Sequence, residues 1–326
     1  MNIAIDAMGG DKAPYEIVKG AHQAAKDNPN IQLTLIGDKK SIDKCLSEYS
    51  VLSNISIIHT ESFVTMDDDP MVVMKEKKNC SMAIGMQMLK ENKVDGFLSA
   101  GSTGALHTAS TLIVRRIKGI RRSAIATIIP FKSPILMLDS GANPTVTADI
   151  LEQWAILASI YMNKMFNIKN VRVGLLNNGT EEHKGTPEVQ KAYQLLKINE
   201  NINFIGNVES KELPNNPCDV LVTDGFTGNI TLKLLEGMAN FFFCSLKNVY
   251  STNARTKLSY LLTKKELKTL RSSFDSSKYG GAPLLGISKP VIKAHGSSDA
   301  IDIKNAIRQT IEYVDSKIIE KVAEAL

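Results

Sequence analysis

Glycine-bearing polar turns follow apolar segments at several points along this chain of 326 residues. An apolar run that ends in glycine and small polar residues is typical of a buried strand opening into a turn and a helix. In open α/β sheets, ligands bind at this edge, where the first N–H groups of a helix can hold an anion. The turns predict one crevice for an anionic or phosphorylated substrate; they lie at 6–11, 99–104, 139–143, 177–180 and 223–229.

The candidate ligand-binding residues lie in these turns or in the similar segment 294–299. Each offers a polar side chain or a backbone that a ligand can approach closely. They are Asp6, Gly9, Gly10, Gly101, Ser102, Thr103, Gly104, Asn143, Asn177, Gly179, Thr180, Asp224, Gly225, Thr227, Gly228, His295 and Ser297.

Lys184 and Asn229 are the side chains in these regions that could act on a substrate. A lysine at a crevice edge can attract phosphate or stabilise a developing oxyanion, and an asparagine amide can bind either group. Two ordinary alternatives stay open at this point. A lysine in a polar loop is often simply solvated, and Asn229 is expected at the start of a helix, where asparagine is common.

Asp6 and Asp11 flank the Gly9-Gly10 turn. Two carboxylates could contribute to a metal site, but no third oxygen ligand is identifiable. We therefore expect these residues to orient loop N–H groups or to cap the helix after Pro14. No metal and no cofactor is predicted, because the GxGxxG pattern is absent and the histidines and cysteines lack ligand spacing.

The segment 295–299 contains a histidine, serines and an aspartate. Triad members so close in sequence do not normally converge, and no GxSxG motif accompanies them. We expect another anion-binding turn, with Asp299 capping the last helix.

Five cations lie within eight residues, at Arg115, Arg116, Lys118, Arg121 and Arg122. Such a cluster is usually a solvated helix end and loop. The alternative is a docking surface for an acidic carrier protein or its phosphate-bearing arm.

Strand-like and helix-like segments alternate along the chain, which predicts a mostly parallel sheet with helices on both faces. A short link between 125–129 and 135–139 favours a hairpin and hence an antiparallel element. Strands are predicted at Ile3–Asp6, Gln32–Ile36, Ser56–His59, Gly96–Ser99, Ile125–Ile129, Ile135–Asp139, Arg172–Leu176, Asn203–Ile205, Val220–Thr223 and Val291–Lys293, and helices at 14–26, 80–91, 104–116, 147–162 and 187–196.

The region from about 228 to 273 is predicted to form two long helices with little strand character. Its second half places leucines among many lysines and arginines. A basic amphipathic stretch of this kind can lie on an anionic membrane surface. The alternative is a helical hairpin that packs on its own domain or across a dimer.

Composition narrows the class of protein. A hydrophobic content of 43% and four scattered cysteines favour a globular cytoplasmic protein with reduced thiols. We find no secretory signal and no transmembrane segment. The net charge of +5 is modest and aromatic residues make up only 6%, so nucleic-acid binding is not expected.

The chain carries a set of ordered motifs at 3–14, 99–106, 223–229, 278–282 and 294–299. Together they resemble the PlsX-type phosphate acyltransferases, over residues 1 to about 312. Ser102 stands where that family usually has asparagine, and Ser140 where valine or isoleucine is common.

The resemblance implies that the protein converts acyl-ACP, the acyl thioester of acyl carrier protein (ACP), and orthophosphate into acyl-phosphate and free acyl carrier protein. The product would feed an acyl-phosphate:glycerol-3-phosphate acyltransferase in bacterial phospholipid synthesis. Also implied are a single three-layer α/β/α domain over 1–326, like phosphotransacetylase and the isocitrate/isopropylmalate dehydrogenases, with a protruding helical hairpin. The resemblance also implies a homodimer. It further implies peripheral contact with the inner face of the cell membrane, and we expect Leu258, Leu261 and Leu262 of the hairpin to make that contact.

In this family Lys184 and Asn229 match positions implicated in catalysis. We hypothesise direct attack of phosphate on the thioester, with Lys184 and Asn229 holding phosphate and stabilising the oxyanion. Two rival hypotheses are an NAD(P)-dependent dehydrogenase on a related fold and a non-enzymatic regulator that binds lipid or acyl carrier protein.

Overall fold

The computed structural model describes residues 1–325, and the chain forms two compact units. Unit 1 comprises Met1–Thr127, Ile156–Asn170 and the stretch that begins at Ser277; unit 2 comprises Ile128–Ala155 and Val171–Ser276. The single catalytic domain expected over 1–326 stays a prediction.

The fold is α/β, as predicted. Its strands are β1 Asn2–Asp6, β2 Gln32–Gly37, β3 Ile55–His59, β4 Gly96–Ser99, β5 Ala124–Pro130, β6 Pro134–Leu138, β7 Arg172–Asn177, β8 Asn203–Glu209, β9 Val220–Val222, β10 Ala282–Leu285 and β11 Val291–Lys293. Its α-helices are α1 Tyr15–Asp27, α2 Lys39–Leu46, α3 Ser81–Lys90, α4 Thr103–Ala109, α5 Ala148–Phe166, α6 Pro187–Ile198, α7 Gly225–Ser251, α8 Ala254–Ser273, α9 Ala300–Asp315 and α10 Ile318–Ala325.

The sheet of unit 1 has the strand order β3-β2-β1-β4-β11-β10-β5. Strands β3, β2, β1, β4 and β11 are all parallel, whereas β10 runs antiparallel to both of its neighbours. The carboxyl ends of β1, β4 and β11 are therefore adjacent at one edge. The turns that follow these three strands must leave the sheet side by side.

Two consecutive residues of β4 show that helices cover both faces of this sheet. The ring of Phe97 faces Gly85 of α3, where an added Cβ would lie 2.1 Å from the ring. The face of Gly96 is turned to α9, where an added Cβ would meet Thr310 at 2.7 Å. Because successive strand residues point to opposite faces, α3 and α9 form the outer layers of an α/β/α arrangement in unit 1.

Unit 2 contains a parallel sheet with the order β6-β9-β7-β8. Alternate residues such as Ile135 and Met137 of β6 join Leu221 of β9 in one buried cluster. Leu232 and Leu235 of α7 pack against that cluster. The apolar spacing of α7 thus fixes this helix on one face of the sheet.

The start of α7 lies in very close contact with the loop that follows β6. A Cβ added to Gly228 would lie 2.0 Å from the backbone oxygen of Asp139, and one added to Gly225 would lie 2.8 Å from that of Asn143. Only glycine allows the two backbones to approach this closely. The glycines of the 223–229 turn therefore serve helix packing.

The predicted helical hairpin is confirmed, and it begins earlier than 228 because Asp224 caps α7. The rings of Tyr250 and Tyr260 lie 5.6 Å apart near the turn, and those of Phe243 and Phe274 lie 5.7 Å apart further along. Helix α8 contains no buried residue. None of the helices within residues 1–325 is both long and apolar enough to cross a membrane.

All ten predicted strands and five predicted helices are present, with ends shifted by a few residues. The helix predicted at 104–116 is divided into α4 and a π-helical turn, Ser110–Val114. Strand β10 was missed because it contains Pro283, a residue uncommon inside sheets. Among the described residues, β10 pairs antiparallel with β5 and β11. The hairpin expected from 125–129 and 135–139 stays a prediction.

All four cysteines are free, as expected, and Cys45, Cys80 and Cys218 are buried. Cys244 is exposed on α7.

We predict that Gly228→Ala lowers the free energy of unfolding by about 1–3 kcal/mol, because the added methyl overpacks the contact with the Asp139 carbonyl. Gly237→Ala is the matched control on the same helix. Apart from its chain neighbours and the backbone of its own helix, no atom lies within 4 Å of its added Cβ, so alanine should stabilise α7 by about 0.5–1 kcal/mol. Urea unfolding of the two variants measures both effects, and similar values for the pair would contradict the packing described.

Candidate functional site

The predicted ligand-binding residues form two groups, one on each unit. In unit 1 they follow β1, β4 and β11; in unit 2 they follow β6, β7 and β9. Leu258, Leu261 and Leu262 belong to neither group, because they lie on α8. The single crevice expected from the sequence stays a prediction.

The carboxylate of Asp6 organises the turns of unit 1. Its Oδ1 accepts hydrogen bonds from the Ser81 hydroxyl at 2.6 Å and the Met8 N–H at 3.2 Å. Its Oδ2 accepts one from the Ser99 hydroxyl at 2.8 Å, and Ser99 Oγ accepts one from the Gly101 N–H at 3.0 Å. The prediction that Asp6 orients loop N–H groups is confirmed. Asp6 is 3% exposed, and burial raises the pKa of its carboxyl above the ordinary value.

Three loops of unit 1 meet at glycines. An added Cβ on Gly9 would lie 2.6 Å from the Gly101 nitrogen, and one on Gly10 would lie 3.0 Å from the Gly296 oxygen. Gly10 has φ of +103°, which other residues rarely adopt. The Asp11 N–H donates to the same Gly296 oxygen at 2.8 Å. The alternative that an aspartate caps the next helix is wrong, since α1 has no side-chain cap.

Lys293 ends β11 inside this cluster, with only 8% of its surface exposed. Its Nζ donates to the carbonyl oxygen of Ala100 at 3.2 Å and also to that of Ala294. Burial lowers the pKa of the Lys293 ammonium to about 8, against the attraction of Asp11 and Asp6. The ammonium thus links the loops after β4 and β11 through their backbones.

His295, Ser297 and Asp299 do not form a triad. The Ser297 N–H donates to His295 Nδ1 at 3.3 Å, and the Ser297 hydroxyl lies 2.9 Å from the same nitrogen. Asp299 accepts from the Ile301 and Asp302 N–H groups as the cap of α9. The predicted cap is therefore confirmed, although α10 follows α9. The remaining residues of the 99–104 turn begin α4, with Ser102 as its N-cap.

In unit 2, the buried Asp139 plays a part similar to that of Asp6. Its Oδ2 accepts from the Asn143 N–H at 2.6 Å and from the Asn143 side chain at 2.9 Å. Its Oδ1 accepts from the Gly141 and Ala142 N–H groups at 3.3 and 3.2 Å. Asn143 therefore supports the loop, and its backbone oxygen also accepts from the Gly225 N–H at 2.8 Å.

Asn229 lies in the second turn of α7 and not at its start. The helix begins at Gly225, where Asp224 is the N-cap and accepts from the Thr227 N–H at 2.8 Å. The amide of Asn229 lies beside Gly141, at 3.5–3.6 Å from the position of an added Cβ. At these distances an added methyl would only touch the amide, but Gly141 has φ of +142°, a conformation that other residues rarely adopt. Several N–H groups of the first turn already donate within the chain, so the side chain of Asn229 is the stronger candidate for contacting a ligand.

Lys184 lies in the loop after β7, and its stem passes over Gly179, where an added Cβ would be 3.0 Å from its Cγ. The Asn177 side chain donates to the Lys184 backbone oxygen at 3.1 Å and closes the loop. Thr180 is exposed. Across the part of the chain that the structure describes, the Lys184 ammonium has no hydrogen bond or ion pair, and the residue is only partly buried.

Lys184 and Asn229 follow neighbouring strands, because β7 pairs with β9 in parallel. Both side chains therefore project from the carboxyl edge of the unit 2 sheet, the edge at which open α/β sheets bind ligands. One supplies an unpartnered positive charge and the other an amide donor. An ammonium and an amide are each of a kind that can bind a phosphate or stabilise an oxyanion.

Comparison with solved structures defines the class of fold. A phosphotransacetylase from Streptococcus pyogenes matches with a TM-score of 0.64 at 18% identity, over 97% of this chain and 94% of that chain. The EutD phosphotransacetylase from Staphylococcus aureus matches with a TM-score of 0.58 at 16% identity, over 100% and 94%. At these identities the likeness concerns the fold, which is that of the phosphotransacetylases.

Comparison of sequences defines the family. The family model described as "Fatty acid synthesis protein" matches residues 1–321. A phosphate acyltransferase from Alkaliphilus oremlandii is 44% identical, covering 100% of this chain and 97% of that protein. One from Pediococcus pentosaceus is 43% identical, covering 99% and 94%. The chain belongs to this family, the PlsX-type phosphate acyltransferases, and is a transferase.

Asp139 and Lys293 organise the turns but were not among the candidate residues predicted from the sequence. Asp139 follows the apolar run 135–138 just as Asp6 follows 3–5, so the repeated pattern was a usable signal. Lys293 is a charge at the end of a short apolar strand, which signals a buried cation only once its neighbours are known.

We predict that Lys293 makes stability depend on pH. Between pH 8 and 10.5 the folded protein binds fewer protons at this lysine than the unfolded chain does, so stability rises with pH. The free energy of unfolding of the wild type, relative to Lys293→Met, should increase across that range by on the order of 3 kcal/mol. Chemical unfolding at a series of pH values measures the difference, and a constant difference would contradict the burial of a titrating ammonium.

Proposed function

We propose that this protein transfers the acyl group of acyl-ACP to orthophosphate, releasing acyl-phosphate and free acyl carrier protein. Membership of the phosphate acyltransferase family supports acyl transfer involving phosphate. The observation that carries the proposal is the unpartnered ammonium of Lys184 at the carboxyl edge of the unit 2 sheet, next to the strand that leads to Asn229. The donor and the role of the product in phospholipid synthesis belong to the proposal.

The reaction needs proximity more than a strong base. A thioester is already an activated acyl donor, and phosphate is already an anionic nucleophile near neutral pH. A phosphate oxygen attacks the thioester carbon and gives a tetrahedral oxyanion. The carbon–sulfur bond then breaks, and the thiolate of the carrier leaves and takes up a proton. Lys184 attracts the phosphate, while Lys184 and the Asn229 amide stabilise the oxyanion.

The protein partners also belong to the proposal. Arg115, Arg116 and Lys118 are exposed in a loop anchored by the buried Ile117 and Ile120, a surface suited to an acidic carrier protein. Its neighbours Arg121 and Arg122 take part in other interactions. A homodimer and an acyl-phosphate:glycerol-3-phosphate acyltransferase that consumes the product are further expectations from the family resemblance.

Peripheral membrane contact through the first half of α8, here called the tip (254–265), is supported by the exposure and charge of its side chains. Leu258, Leu261 and Leu262 are 60%, 66% and 77% exposed. Exposed cations such as Lys264 and Lys265 lie beside them. Leucines inserted among headgroups and lysines near anionic lipids together give reversible binding at the surface.

Phosphate-dependent release of free carrier protein from acyl-ACP, with acyl-phosphate trapped by hydroxylamine, tests the activity. We predict that Lys184→Ala and Asn229→Ala each lower turnover by about 10²–10³-fold, as expected for loss of one oxyanion donor. Lys191→Ala is the control, because Lys191 is an exposed lysine of the same unit paired with Glu188. Its turnover should remain that of the wild type.

Circular dichroism and thermal unfolding should show that these variants retain their fold. Near-normal turnover of a folded Lys184→Ala variant would remove Lys184 from the mechanism. Acylated protein recovered after acid quench of enzyme with acyl-ACP alone would contradict direct attack by phosphate.

Replacement of Leu258, Leu261 and Leu262 by serine should weaken binding to phosphatidylglycerol vesicles by at least about tenfold, since full burial of one leucine contributes about 1.5–3 kcal/mol. Ile198→Ser is the matched control, because Ile198 is 74% exposed but lies on α6 outside the hairpin. Vesicle sedimentation measures binding. Equal loss in both variants, or none in the triple variant, would rule out the tip as the contact.

A further inference from the structure

Asn207 on β8 carries a buried polar atom that stability does not explain. Only 8% of the residue is exposed. Among the residues that the structure describes, its Oδ1 atom has no hydrogen-bond partner. An unpaired buried acceptor destabilises a fold, and such groups in native proteins often serve function.

The other end of the same amide holds the loop that carries Lys184. Asn207 Nδ2 donates to the backbone oxygen of Glu181 at 2.9 Å. That oxygen also accepts from the Lys184 N–H at 3.1 Å. The Asn177 side chain donates to the Lys184 backbone oxygen at 3.1 Å. The peptide groups on both sides of Lys184 are thus fixed, while its ammonium has no partner among residues 1–325.

An irregularity in β8 places the Asn207 side chain on the loop. Val173 pairs with Phe204 but Gly174 pairs with Gly206, so Ile205 is an extra residue in the ladder. Gly206 has φ of +98°, a conformation that favours glycine. One extra residue reverses the alternation of side chains beyond it. Asn207 therefore occupies the face on which Val208 would lie in regular pairing.

We propose that Asn207 is a positioning residue that fixes the Lys184 loop (178–185) and so holds the Lys184 ammonium where phosphate binds. The inference rests on the proposed function. A small displacement of a group that orients a reactant can lower a rate by up to about 10²-fold. This role explains the unpaired Oδ1. The asparagine amide supplies the N–H donor that the Glu181 oxygen needs, and its own oxygen comes with that donor but finds no partner.

Asn207→Leu is the test. Leucine has a similar volume, removes the donor to Glu181 and also removes the unpaired acceptor. We expect kcat/KM for orthophosphate to fall at least tenfold, with KM for acyl-ACP unchanged. The midpoint of thermal unfolding should stay the same or rise. If Asn207→Leu does not give folded protein, Asn207→Ser removes the reach of the donor in a smaller side chain.

Thr111→Val is the matched control. Thr111 Oγ1 is the other buried side-chain atom without a partner in the part of the chain that the structure describes, and it lies in unit 1. Valine keeps its shape, so stability should rise while kcat/KM for orthophosphate stays that of the wild type. Comparison of Thr111→Val with Asn207→Leu therefore separates the effect of removing an unpaired atom on stability from an effect on the reaction.

A double-mutant cycle shows whether Asn207 acts through Lys184. In a Lys184→Ala background, Asn207→Leu should leave the residual kcat/KM unchanged. Wild-type kinetics for Asn207→Leu, or the same fold-loss in both backgrounds, would overturn the inference. Wild-type turnover of Lys184→Ala alone would instead overturn the role of Lys184 in the proposed function.

Discussion

A carboxylate buried at the end of a strand has to receive hydrogen bonds, and this constraint shapes the turns that follow the strands in both units. Asp6 in unit 1 accepts hydrogen bonds from two hydroxyls and one backbone N–H, and Asp139 in unit 2 accepts them from backbone N–H groups and the Asn143 amide. Because these donors lie in the turns or at the ends of the neighbouring elements, satisfying the carboxylate also sets the course of the turns. The glycines allow the backbones to approach closely enough for this to happen.

The two units use charge differently at these edges. In unit 1, the buried Lys293 ammonium donates to backbone carbonyls and so holds two loops together. In unit 2, Lys184 lies in a loop whose peptide groups are firmly held, while its ammonium has no partner among the described residues. A cation whose backbone is held and whose charge the protein does not neutralise is suited to an anionic ligand, since binding does not first have to break an internal ion pair.

Much of the fold could be predicted because its patterns are local. Apolar runs indicated the parallel strands, and the long apolar and basic segments indicated the hairpin of α7 and α8. The prediction failed where distant contacts decide. Strand β10 forms despite Pro283 because it has β5 and β11 on either side. The position of Asn229 was misjudged for a local reason, because Asp224 already caps α7 and leaves Asn229 inside the helix.

The sequence by itself determined the α/β class, the family and the turns that carry Lys184 and Asn229, because strand and turn patterns and family motifs are properties of neighbouring residues. Only the tertiary structure decided which polar groups serve the fold and which are left for a ligand. Gly228 meets Asp139, Lys293 meets the loop after β4, and Asn207 meets Glu181 across gaps of 26 to 193 residues. Such pairings depend on strand order and on a one-residue shift in β8, which no local pattern records.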